Sequence, residues 1–92
     1  MKNTEKLIAI DGIFDPDEAA EVLLNLLKSK INFHKIKNWS SQERFGKDDE
    51  TAQKRIPELQ KEVEKLQVVL GQAQAQNKKL AVRSEINITL LD

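Results

Sequence analysis

The sequence predicts a small α+β protein of order β-α-α-β: an antiparallel, coiled-coil-like helical hairpin packed on a short antiparallel sheet, completed by dimerisation. Three observations lead there. The segment Leu80–Leu91 alternates apolar and polar residues with period two, as a strand with one covered face does. Ile56, Leu59, Val63, Leu66, Leu70, Ala73 and Asn77 recur at alternating spacings of three and four, a heptad seam. The apolar, β-branched run Leu7–Phe14 stops abruptly at Asp15-Pro16-Asp17-Glu18, which reads as a helix start. With 92 residues, one domain spanning 1–92 is the expected organisation.

The first strand is expected over about residues 6–14, with a bulge or bend at Asp11-Gly12. Asp15 then supplies an N-cap acceptor, Pro16 suits the first helical position, and Glu18 can reach back to the cap amide. Phe14 is placed to pack on Ala19, and the acids in this turn complement the helix dipole. The helix that follows is expected over about 16–37 and carries two stripes. Ala20, Leu24, Leu27, Ile31 and His34 form one; Ala19, Val22, Leu23, Leu26, Phe33 and Ile36 form the other. One neighbour needs only one stripe of about 100°, so this helix should be covered on two sides.

Residues 38–47 read as a connector with a short helical turn at 41–45. Ser40-Ser41-Gln42-Glu43 has the form of a capping box, Gly46 can close the turn, and Trp39 and Phe45 would pin it. The second long helix is expected over about 49–77 after the acidic start Asp48-Asp49-Glu50. Pro57 either kinks it or marks a separate start, since it removes an amide donor and crowds the preceding turn. Gly71 weakens the distal half, and Asn77 suits a C-cap. The last strand is expected over about 79–91, with Leu80, Val82, Ser84, Ile86, Ile88 and Leu90 on one face.

A two-stranded sheet is marginal alone, and its edge and the second stripe of the first long helix both lack partners. A two-fold homodimer, joined by sheet edges or by helix faces, answers both.

Lysines and arginines number 15 against 15 acids, yet the zero net charge is unevenly laid out. Residues 1–27 carry −4, residues 28–47 carry +5, residues 48–77 carry −2 and residues 78–92 carry +1. The absence of Cys excludes disulfides, thiolate metal sites and thiol catalysis. No run has the length of a signal-peptide core or a membrane span, so a cytoplasmic protein without membrane contact is expected.

His34 is the single histidine and lacks the accompanying ligands of a metal site, so it reads as a packing residue. The acids at Asp15, Asp17 and Glu18 and at Asp48, Asp49 and Glu50 lie at helix starts and lack the spaced ligands of a calcium loop. Gly12, Gly46 and Gly71 fall on separate elements, which excludes a Gly-rich phosphate loop. No catalytic, cofactor or metal residues are therefore assigned, and the chain is expected not to be an enzyme. The basic segment 28–47 is the one surface with a binding composition: Lys35, Lys37, Trp39, Arg44 and Lys47 combine cations with aromatics, as nucleic-acid contacts do.

The segments Ile10–Phe14, the acid-rich helix start with Ala19 and Ala20, Lys30–His34 and Glu43–Lys47 together resemble a group of short uncharacterised bacterial proteins. The resemblance implies a bacterial cytoplasmic protein and supplies no activity, cofactor or site residue. The leading expectation is a non-catalytic protein-protein interaction or assembly protein. The alternative is a nucleic-acid-binding accessory protein using segment 28–47.

Overall fold

The computed structural model describes residues 3–92 and has the order β1 (Thr4–Phe14), α1 (Pro16–Phe45), α2 (Glu50–Ala75) and β2 (Leu80–Thr89). The two strands pair antiparallel in one sheet, and the two helices pack together. The expected α+β architecture is therefore present.

The helix start falls where the sequence places it. Asp15 is the N-cap in extended conformation, Pro16 follows, and Glu18 Oε1 accepts from the Asp15 amide at 3.1 Å. Helix α1 then runs on past Lys37 to Phe45, so the expected connector and separate turn at 41–45 are its last turns. No Gly or Pro interrupts residues 17–45, and a capping-box sequence inside a continuing helix has no free amides to cap. Gly46 ends α1, with φ +67° and its amide donating to Gln42 O at 2.9 Å.

The turn Gly46–Asp49 is pinned by polar groups. Asn38 Oδ1 accepts from the Asp49 amide at 2.8 Å, Gln42 Nε2 donates to Asp48 Oδ1, and Asp49 Oδ2 caps α2 through the Ala52 amide at 2.9 Å. Trp39 and Phe45 are 62% and 71% exposed, so they do not anchor this turn as expected. Asn38, two turns before the helix end, reaches the Asp49 amide directly, whereas the Trp39 indole stays in solvent.

Helix α2 is continuous through Pro57, which rules out a separate start at residues 49–55. The Gln53 carbonyl, four residues back, loses its helical donor to the proline ring. At the far end Gln76 is the C-cap, and Asn77 takes φ +53° one position beyond it. The Lys78 amide donates to Ala73 O at 2.9 Å and the Asn77 amide to Gln74 O at 3.2 Å, a Schellman closure.

The core lies between the helices. Leu59, Leu70 and Ala73 from the α2 seam, with Ala52, are buried; Ala19 and His34 are buried on α1. The first stripe of α1, from Ala20 to Ile31, is half-buried against that seam. His34 Nδ1 has no hydrogen-bond partner among the described residues, and its ring meets the Phe33 ring edge-on at 5.4 Å.

Register explains why β1 does not alternate cleanly. The pairs Ile10–Ser84, Gly12–Val82 and Phe14–Leu80 lie on one face, and the ladder then slips at Ala9. Beyond the slip Leu7 pairs with Ile86, and Glu5 with Ile88. The irregularity thus lies at Ala9, not at Asp11-Gly12, where Asp11–Arg83 and Gly12–Val82 stay in step. An extra residue shifts the period by one, which brings odd-numbered Leu7 onto the face of even-numbered Ile10.

Candidate interaction surface

The sheet meets the hairpin through its near half. Ile10, Gly12, Phe14, Leu80, Val82 and Ser84 share one face and are half-buried beside the connections to the helices. The same face continues outward as Leu7, Ile86 and Ile88, which are 48%, 45% and 45% exposed. Among the described residues no strand side chain is fully buried. The other face is mixed: Ile8 and Ile13 stand exposed on it, while Arg83 donates to Asp11 Oδ2 at 3.2 Å and to Glu85 Oε1 at 3.0 Å, and Lys6 lies 3.5 Å from Glu85.

The hairpin also has two unlike sides. One carries an apolar groove lined by Leu23, Leu26, Leu27, Leu66 and Val69, with Glu62 and Lys65 at its margin. A second hollow continues along the same side past Leu26 to Phe33 and Leu59, with Ser29 and Lys30 at its rim. The opposite side is lined by Lys28, Asn32, Lys35 and Gln60 around Ile31. The second stripe of α1 is thus the uncovered one: Leu26 is 51% exposed and Phe33 50%, and Val22 and Ile36 are exposed too. Only its first member, Ala19, is buried.

The basic segment is divided by the helix. Residues seven apart return to nearly the same face at about 100° per residue. Lys30, Lys37 and Arg44 therefore share one side of α1, while Lys28 and Lys35, with Trp39 one turn on, share the other. The first side is organised: Lys30 Nζ and Lys37 Nζ sit 5.1 and 5.6 Å from the centre of the Phe33 ring. Lys47 lies beyond Gly46 in the turn. The candidate residues Lys35, Lys37, Trp39, Arg44 and Lys47 surround the end of α1 and do not form one patch. The i−3 and i+4 spacing of Lys30 and Lys37 around Phe33 is the sequence signal for this arrangement.

Among the described residues no helix is long and apolar enough to cross a membrane, and no three His, Asp or Glu side chains gather as a metal site would require. Compared with protein-family models, with curated proteins and with solved structures, the chain matches none of them.

Proposed function

We propose that the chain is a non-catalytic assembly protein whose working form is a homodimer. The observation that carries this reading is excess surface. The chain exposes 7498 Å², whereas a compact monomer of 10.5 kDa would expose about 5400 Å². Its radius of gyration is 16.7 Å, against roughly 12 Å for a compact chain of this length. The difference in area, on the order of 2000 Å², exceeds the about 800 Å² that each partner gives to a standard interface. Much of the large apolar surface lies on the groove side of the hairpin and the outer half of one sheet face. Such surfaces offer burial to a partner and no acid–base chemistry to a substrate. Light scattering across a dilution series tests the reading: a dimer is expected, and a monomer at every concentration refutes it.

A second reading, contact with single-stranded nucleic acid, is favoured by the exposure of Trp39 and Phe45 on the last turns of α1, which also carry Lys35 and Arg44 around their circumference. Titration with single-stranded DNA and RNA at low and moderate salt checks it. Neutralising Lys35, Lys37, Arg44 and Lys47 should then weaken binding and flatten its salt dependence; binding indifferent to those changes ends the idea.

A further inference from the structure

We propose that the grooved side of the hairpin is the dimer contact, with a second copy of this chain seating its own hairpin there about a two-fold axis near Leu26. This rests on the homodimer reading above and specifies its geometry. The outer half of the apolar sheet face, with Leu7, Ile86 and Ile88, is also open but offers no groove among the described residues, and three further surfaces serve less well. The opposite side of the hairpin is rich in lysine and amide groups, and the mixed face of the sheet is occupied by its own ion pairs. Joining strand edges would add a hydrogen-bonded ladder but leave the groove and the uncovered stripe of α1 in water.

The grooved side has the form a two-fold contact needs, because a self-complementary surface must hold both a projection and a hollow. Leu26 is the projection: it is half exposed and borders both hollows. Leu23, Leu27 and Leu66 beside it are half-buried and form the hollow. Rotation about an axis near Leu26 sets each Leu26 into the partner's groove, as a knob into a hole. The charges at the margins are mixed as well. Glu62 pairs with Lys65 of its own helix at 3.4 Å at one margin, and Lys30 stands at the other, so an antiparallel partner meets both signs of charge around the apolar centre. The available area also suits a second copy: the excess of about 2000 Å² per chain, shared between the grooved side and the outer sheet face, leaves room for the about 800 Å² that each partner gives to a standard interface.

Cysteine cross-linking tests the geometry cleanly, because the sequence contains no Cys. Three single variants of the full chain, Leu26→Cys, Lys35→Cys and Glu85→Cys, are each treated with a mild oxidant. A disulfide needs Cα atoms about 4.4–6.8 Å apart. Leu26→Cys is expected to give a covalent dimer rapidly, while Lys35→Cys on the polar side and Glu85→Cys in the sheet stay monomeric under denaturing electrophoresis. A second pair of variants avoids dependence on oxidation. Leu26→Glu and Val69→Glu should weaken dimerisation by roughly a hundredfold or more through like charges facing each other, with far-ultraviolet helicity kept. Lys35→Glu should leave the dimer intact. Dominant cross-linking at Glu85→Cys, with a dimer that survives Leu26→Glu, overturns the groove geometry in favour of edge pairing and leaves the homodimer reading standing. A wild-type chain that is monomeric throughout overturns both.

Discussion

In the hairpin, Leu59 and Leu70 lie buried between two capped helices; in the sheet, Leu7, Ile86 and Ile88 are equally apolar yet about half exposed. The two regions differ in how each satisfies its backbone. A helix closes its hydrogen bonds within itself, so pairing two helices along one seam already gives a folded unit. A two-stranded sheet leaves two open edges and, here, only the near half of one face covered. The hairpin is therefore the better-buried body of the chain, and the outer half of the sheet is the part with least cover.

The strongest way to break that comparison is to truncate one apolar residue in each region. Leu59→Ala opens a cavity in the buried seam and should cost about 3 kcal/mol. Ile88→Ala removes a side chain that is already 45% exposed, so the loss should be about 1 kcal/mol. Urea unfolding followed by circular dichroism measures both. Equal losses would mean that the outer sheet face is as buried in solution as the seam. A loss at Ile88 that grows with protein concentration would show that the dimer, and not the chain alone, covers that face.

Pro57 tests the hairpin from the opposite direction. It stands in the interior of α2, eight residues into a helix that continues unbroken. An interior proline costs about 3 kcal/mol relative to Ala, a net figure that already includes the stiffer unfolded chain. Pro57→Ala should thus raise stability by up to about 3 kcal/mol and restore a donor for the Gln53 carbonyl. Should the variant be neutral or less stable, Pro57 would be shaping the hairpin through a bend that Ala does not reproduce. In either case the sheet amides should exchange no more slowly than before.

Much of the hairpin was legible because its signals are local. The heptad seam from Ile56 to Ala73 and the Asp15–Glu18 start depend on residues within a few positions of one another, and both fell where the sequence put them. The end of α1 was misread for the same reason in reverse. Ser40–Glu43 has the local form of a cap, but capping matters only where a helix begins, and nothing before it ends one. The roles of Asn38 and Asp48 were hidden because their bond spans ten residues across a turn. In the sheet, a one-residue slip at Ala9 is set by pairing with β2, which no pattern within β1 alone encodes. The candidate surface followed the same rule. The two stripes of α1 imply cover on two sides, yet within the chain the second stripe has none, and the split of the basic residues follows from an α1 long enough to carry them around its circumference.

The smallest expected effect sharpens the comparison most selectively, because it touches the sheet alone. Arg83 joins its cross-strand partner Asp11 at 3.2 Å and its same-strand neighbour Glu85 at 3.0 Å, while Lys6 approaches Glu85 from the opposite strand. All four side chains are substantially solvated, and pairs of this kind contribute about 0.2–1 kcal/mol each, screened by salt. Arg83→Ala should therefore lower global stability by less than about 1 kcal/mol, and the difference should shrink at high ionic strength. Its clearer mark should be local. Amides of β1 and β2 should exchange several-fold faster, on the order of the factor that such a free energy implies, while those of the Leu59–Leu70 seam keep their protection. A uniform acceleration through the hairpin would mean that the two regions open as one unit. The sheet would then be a full member of the folded core despite its exposed face.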